Sequence, residues 1–263
     1  MGYVKTPEEI SEIEHALSHP RFVNGEMLSI DFLTDPAVVA EILPPPLQPG
    51  EQPVINAMVG RWQSNCVGDF YGGALYVHAR YGELAGAYVL SMWMDGDIPT
   101  IYGRDVFGEP KKLAESRLHR RGHRYHGYVE RHGVRLLELE ADLPEDRGPG
   151  EAEGINFNFK ARPDASGIGL QEDAILTVAR FQITTRVQRV GTGSLSLRGT
   201  VHDPVDELPV REVLRATYTE CDLIGQCEAV ASVAAETFLP FHYGRHDVWS
   251  ALDTERAMLV PVG

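Results

Sequence analysis

Two lysines stand side by side at Lys111-Lys112, directly after Pro110, in a chain of 263 residues that holds only four lysines against twenty arginines. Arg keeps its proton in a protein, whereas a desolvated Lys can lose it and become a nucleophilic amine. The pair has two readings: a solvated turn carrying two cations, or a lysine that condenses with a carbonyl while its neighbour holds down its pKa. An unperturbed lysine titrates near about 10.4, so a free amine near neutral pH needs a drop of roughly four units, or about 5.5 kcal/mol. One adjacent ammonium in high dielectric supplies only about 1 kcal/mol, so burial in an apolar pocket has to supply much of the rest. Met92, Trp93, Met94 and Phe107 are candidate walls of that pocket, and each also reads as an ordinary core or strand residue.

The elements that must position the pair are mostly strands. Thr6 followed by Pro7, Glu8 and Glu9 opens a helix with a capping hydroxyl, Pro in the first turn and favourable acids. Ile10, Ile13 and Leu17 share one of its faces, and Pro20 stops it. A second short helix spans Asp35 to Leu43 and ends at Pro44 to Pro46. Strand runs follow at Ser29 to Leu33, Val54 to Trp62, Leu75 to Tyr81 and Ala87 to Met94. Arg124 to Glu130 and Val134 to Ala141 flank a hairpin turn at Arg131-His132-Gly133. Ile175 to Val190 alternates over a long run, with a Gly-Thr-Gly break before Ser194 to Arg198. Pro144 to Gly154 and Arg162 to Asp173 read as polar loops, and Cys227 to Phe238 as a small-residue helix.

Strand after strand with few helices between excludes an alternating βαβ chain. The expected fold is α+β, mainly antiparallel β, in one domain over residues 1–263, with curled or closed barrel-like sheets around an internal cavity.

Apolar residues at 43% and charged residues at 24% suit a packed core. A net charge of −14 argues against nucleic acid or an anionic membrane as partner, yet an acidic exterior can still enclose a basic pocket. No apolar run reaches the roughly 20 residues of a membrane helix. The acidic first twenty residues do not read as a secretion signal, and Cys66, Cys221 and Cys227 read as reduced thiols, so the expected location is cytoplasmic.

The string from Ile98 to Glu115, with Gly103-Arg104-Asp105, Val106-Phe107-Gly108-Glu109 and Pro110-Lys111-Lys112-Leu113, closely resembles the lysine segment of the acetoacetate decarboxylase family. Asn24-Gly25-Glu26, Thr34-Asp35 with the Ile42-Leu43-Pro44-Pro45-Pro46-Leu47 stretch, Gly86-Ala87-Tyr88 leading to Met94-Asp95, and the string from Glu207 to Glu212 fit the same family in order, over roughly residues 20 to 240. The resemblance implies that Lys111 forms a Schiff base with a keto substrate and that Lys112 perturbs it. Acetoacetate decarboxylase is itself the standing example of a lysine activated by desolvation or an adjacent cation. It also implies a homo-oligomer, a tetramer or larger, and no metal or organic cofactor, because the condensed lysine is the electron sink.

The pattern departs at three places. Decarboxylases of the family carry an arginine where Gly25 stands and a glutamate at the end of the stretch matching Gly68 to Gly72; a second glutamate falls near Ala57. Both lysines remain while these polar groups are gone, which points to an imine-based reaction on another keto acid. Aldolase-dehydratase or hydratase chemistry on a 2-oxo acid such as pyruvate is the first expectation. Acetoacetate decarboxylation and a non-catalytic small-molecule binder are the alternatives. A phenol could move protons beside the imine, and Tyr71 and Tyr243 are the candidates. Gln63 and Arg61 are candidates for a substrate carboxylate, and Arg104, in the matching motif, either binds substrate or braces the loop beside Asp105. His119, His123 and His126 lie on a strand–Gly122–strand pattern that suits a metal poorly, and His242, His246 and Asp247 lack a serine elbow to form a hydrolase.

Overall fold

The computed structural model describes residues 2–249. Helix α1 spans Pro7–Ser18, strand β1 Arg21–Leu33, α2 Pro36–Ile42 and the short β2 Gln48–Pro49. Three long strands follow: β3 Val54–Ser64, β4 Gly68–Tyr81 and β5 Leu84–Met94. After helix α3 (Asp97–Tyr102) and a π-helical turn at Gly103–Phe107 come β6 Lys111–Leu113, β7 Glu115–Arg121, β8 Arg124–Arg131 and β9 Val134–Asp146. The chain continues with β10 Gly150–Lys160, β11 Ala174–Leu197, β12 Glu212–Val233 and helix α4 Ala235–Gly244.

Seven strands close on themselves. Each pairs with the next in the order β10-β5-β4-β3-β1-β12-β11, and β11 pairs back onto β10. β9, β8 and β7 continue from β11 as a sheet that folds over the outside of this barrel, with β7 packed on β3 and β4. β3 and β4 are therefore buried on both faces over much of their length, whereas β11 and β12 keep an exposed side. On β4 the side chains alternate: Phe70, Ala74 and Tyr76 join the apolar interior, while Leu75, Val77 and Ala79 join the outer core beneath the second sheet. The expectation of a mainly antiparallel, barrel-like fold around a cavity holds; the parallel pairings are those of β5 with β10 and with β6.

Several boundaries differ from the sequence expectations, each for a physical reason. The proposed helix from Cys227 is the end of β12, which runs to Val233 before α4 begins at Ala235; its small residues lie flat against β11 and are not a helix stripe. Pro144 to Gly154 is mostly strand, with β9 reaching Asp146 and β10 starting at Gly150. The Gly-Thr-Gly sequence does not interrupt β11; it lies at a register shift, where a side chain on Gly191 would strike the Asp142 carbonyl. The capping box of α1 forms between Thr6 and Glu9, but Ile10 and Ile13 stay 45% and 42% exposed and only Leu17 reaches the barrel interior. His132 and Gly133 take positive φ, as a two-residue hairpin turn requires. Among the described residues no helix is long and apolar enough to cross a membrane.

Candidate active site

The lysine segment is held in an unusual backbone path. The π-helical turn ends at Gly108, whose φ of 80° is left-handed and whose Cα lies so close to β10 that a Cβ would sit 2.6 Å from the Lys160 amide nitrogen. Glu109 N–H donates to the Gly103 carbonyl at 3.0 Å, and Thr177 Oγ1 donates to the Phe107 carbonyl at 2.6 Å. The chain then adds β6 in parallel to β5, with Lys111 opposite Met92 and Lys112 opposite Trp93. Neighbouring strand residues point to opposite faces, so the two lysines part company here.

Lys111 enters the barrel, its side chain 8% exposed. It opens on a cavity of about 710 Å³ whose walls include Met58, Met92, Met94, Tyr102 and Phe107. Nζ lies 2.9 Å from Glu109 Oε2 and donates to the Pro99 carbonyl at 3.2 Å. Glu109 is itself only 6% exposed, and its Oε2 has no aligned hydrogen-bond donor: it meets the lysine as a charge. Sequence reasoning passed over Glu109. The signal was its spacing, since residues two apart on an extended segment share a face.

Lys112 emerges on the outer face. Its Nζ donates to the His202 carbonyl at 2.6 Å and pairs with Asp203 Oδ1 at 3.0 Å and Asp247 Oδ1 at 3.2 Å. Arg131 bridges the same two carboxylates at 2.7 Å each, and Trp93 Nε1 donates to Asp203. Two cations face two anions, so Lys112 presents no net positive charge to Lys111. This corrects the expectation of an electrostatic modulator: Lys112 anchors the segment from behind. Trp93 likewise lies outside the cavity. Breaking a buried pair strands the remaining charges. Lys112→Met is therefore expected to cost about 3 kcal/mol of unfolding free energy in a urea titration while reductive trapping at Lys111 persists.

None of Tyr71, Tyr243, Gln63 and Arg61 lines the Lys111 cavity. Tyr71 lies beneath the Arg117 guanidinium on the outer side of β4, and Tyr243 sits beside Trp249. Arg61 pairs with Glu26 at 2.8 Å, and Gln63 bonds Asn24 and Asp69. On β3 it is Asn56, Met58 and Trp62 that face the interior. Arg104 braces the segment, donating to the Lys111 carbonyl at 3.3 Å beside His246, not to Asp105. The phenols of the cavity are Tyr76 and Tyr102. Burial raises the pKa of both, and the nearby Glu109 charge adds to the rise at Tyr76, so each is a neutral hydrogen-bond donor. Tyr102 spends its hydroxyl on the Leu17 carbonyl at 3.0 Å.

The end of α4 packs behind the lysine segment, outside the cavity. Arg245 donates to the Gly108 and Phe159 carbonyls, and His242 and His246 pack edge to face at 4.6 Å. Burial, reinforced by Arg245 and Arg104, holds His242 at about 4; burial and the same cations hold His246 at about 3. Burial pushes the Asp247 carboxyl up, but Arg131 and Lys112 outweigh it and hold it at about 2. Both histidines are depressed below the unfolded value of 6.5, so their contribution to stability is complete above that pH and is lost as pH falls toward 4. Each steepens the acid limb by up to about 1.4 kcal/mol per pH unit. Unfolding free energy measured from pH 7 to 4.5 should fall on this slope, and replacing both by Gln should flatten it.

The positions where the family's charged groups are missing are filled by neighbours. A Cβ on Gly25 would lie 2.9 Å from Trp62 Cδ1, and one on Gly72 would lie 2.5 Å from Met94 Cε and 2.8 Å from the Trp93 carbonyl. Ala57 faces the outer core. Trp62 stacks on Phe70 at 5.4 Å, so this part of the barrel is aromatic and apolar. Among the described residues no group of three or more His, Cys, Asp or Glu side chains is placed to hold a metal, and the His119 and His126 rings simply stack across β7 and β8.

A model of the acetoacetate decarboxylase family matches residues 4–233. The chain is 30% identical over 225 residues to an acetoacetate decarboxylase of Burkholderia cenocepacia, covering 82% of this chain and 90% of that one. The acetoacetate decarboxylase of Burkholderia vietnamiensis matches at the same identity and coverage. Among solved structures, an acetoacetate decarboxylase from Legionella pneumophila superposes with a TM-score of 0.74 at 25% identity, covering 81% of this chain and 87% of that one. The enduracididine biosynthesis enzyme MppR, complexed with the condensation product of pyruvate and imidazole 4-carboxaldehyde, shares the fold with a TM-score of 0.70 at 17% identity, covering 80% and 88%. With this match over most of its length, the chain belongs to the acetoacetate decarboxylase family.

Proposed function

We propose that the protein is a Schiff-base lyase in which Lys111 condenses with a 2-oxo acid and the resulting enamine adds to, or is released from, a second carbonyl compound. The observation that carries this reading is the Lys111 amine, buried against Glu109 at 2.9 Å and opening on a largely apolar cavity. Once Nζ has passed its proton to Glu109 it attacks the keto carbon, and a carbon–nitrogen bond forms as the carbonyl oxygen takes a proton. The carbinolamine then expels water to give the protonated imine. That nitrogen draws electrons from the imine carbon, so a base can remove a proton from the carbon next to it and leave an enamine. The enamine carbon attacks an aldehyde, and the new alkoxide takes a proton; loss of that hydroxyl as water gives a conjugated product. A final water molecule releases the lysine. Each step moves a proton near Nζ, where Glu109 accepts and returns it, and Tyr76 donates as a neutral phenol.

The volume of the cavity supports a second reactant, since pockets of roughly 300–1,000 Å³ hold drug-sized ligands and not merely a three-carbon acid. The filling around Gly25 and Gly72 argues in the same direction, because the atoms nearest those positions belong to Trp62, Met94 and backbone carbonyls and offer no positive charge to orient a carboxylate for departure. The decarboxylase relatives favour a second reading. In it the same imine withdraws electrons from the carbon–carboxylate bond of a β-keto acid, which breaks to release carbon dioxide and an enamine. Incubation with pyruvate plus an aromatic aldehyde, followed by absorbance, and with acetoacetate, followed by carbon dioxide release, separates the two. Conjugated product with little carbon dioxide is expected, and Lys111→Ala should abolish it. Enzymatic carbon dioxide release without any conjugated product would replace the first reading by the second.

A further inference from the structure

The cavity that holds Lys111 has a second polar locus at its other end. Asp31 on β1, Asn56 on β3, His78 on β4 and Arg215 on β12 all line it, and here the lining becomes exposed. Ala87 pairs with His78 and Met92 pairs with Lys111. Five residues of β5, with one bulge between, separate these levels by about 13–16 Å. Apolar side chains, among them Met58 and Met92, occupy the wall between. The cluster is therefore the mouth of the barrel, and Lys111 lies well inside.

The mouth has donors to spare beside a carboxylate that already has partners. Asp31 accepts from Asn56 at 2.5 Å through one oxygen and from Arg215 at 2.7 Å through the other, so its carboxylate is committed. Arg215 retains further N–H groups in solvent, its side chain 66% exposed. Burial, with Arg215 assisting and Asp31 opposing, lowers the His78 pKa, so the ring is neutral and carries one N–H. The cationic side chains lining the cavity, among the described residues, are Lys111 within and Arg215 at this rim. A bound anion at the mouth would gain charge-assisted hydrogen bonds that no group beside the apolar middle offers.

We infer that the substrate, or the condensation product, is an elongated 2-oxo dicarboxylate: its keto carbon at Lys111, an apolar chain through the barrel, and a far carboxylate at the mouth on Arg215 and His78. This rests on the imine reading above, and names the second reactant as an aldehyde that carries its own acid group.

The experiment is reductive trapping with borohydride at graded concentrations of pyruvate, 2-oxooctanoate and 2-oxooctanedioate, read by mass spectrometry at Lys111. The dioate should half-saturate at about tenfold lower concentration than the eight-carbon monoacid, the scale of a charge-assisted hydrogen bond. Arg215→Gln should erase that advantage and Arg215→Lys restore part of it. Equal trapping of the two eight-carbon acids overturns the inference, as does a preference that survives in Arg215→Gln. Trapping of pyruvate alone overturns the elongated substrate and leaves the imine intact. No adduct with any of the three overturns both.

Discussion

Gly103→Ala should lower the rate of imine formation by about 100-fold while leaving the melting temperature within a few degrees of the parent. Gly103 has ordinary helical angles, φ −64° and ψ −39°, so its backbone makes no demand for glycine and Ala is the better helix former. What the position demands is space. A Cβ there would strike Glu109 Oε2 and lie 2.5 Å from Lys111 Cδ and 2.6 Å from Cε. These are ends of flexible side chains, so the fold can absorb the methyl group, but only by moving the amine and its carboxylate together. Displacing a reacting group by about 1 Å can cost about 100-fold. Stopped-flow reaction with pyruvate, beside a thermal melt, tests this. An unchanged rate would mean that neither side chain has to stand where it does.

Glu109→Gln removes the charge and keeps the shape. If Glu109 carries protons through the cycle, turnover of pyruvate and aldehyde should fall by about 100- to 10,000-fold, the usual weight of a positioned acid–base group. Equilibrium trapping of pyruvate at Lys111 should remain, because the amine is still present and borohydride captures whatever imine accumulates. The split between retained adduct and lost turnover marks proton transfer; a merely structural carboxylate would lose both or neither. Wild-type turnover in this variant would transfer the role to Tyr76.

The lysine segment was legible because its residues are local. Gly103, Gly108 and Pro110 shape a path over which Lys111 and Glu109 meet, and all lie within nine residues. The parting of Lys111 from Lys112 was also implicit in period two, but only once the segment is known to be strand, and a π-helical turn ahead of it hides that. The wider site is assembled from residues far apart in sequence. Tyr71 and Tyr76 lie on one strand, and choosing between them needs the inside of the barrel to be known. Both faces of β4 are packed, against the interior and against the second sheet, so hydrophobicity along it does not alternate and reports no inner face. The cluster at α4 read as a failed hydrolase because histidine and aspartate suggest catalysis by type. Burial against Arg104, Arg131 and Lys112 makes it a brace instead.

The strand run at β12 shows the opposite failure. Ala229, Ala231 and Ser232 are small, which suits a tightly packed helix as well as a crowded sheet, and only their pairing with Thr177, Leu176 and Ile175 of β11 decides between them. The apolar filling at Gly25 and Gly72 was half visible: the sequence lacks the charged groups there, but only the packing places Trp62 and Met94 in their stead.

The decisive measurement is a peptide map of the protein reduced with borohydride in the presence of pyruvate. A single reduced pyruvyl group is expected on Lys111, absent from Lys112 and Lys160 and absent without borohydride. An adduct on Lys112, or an unmodified Lys111 after saturating pyruvate and reductant, would contradict the assignment of the buried amine as the group that holds the substrate.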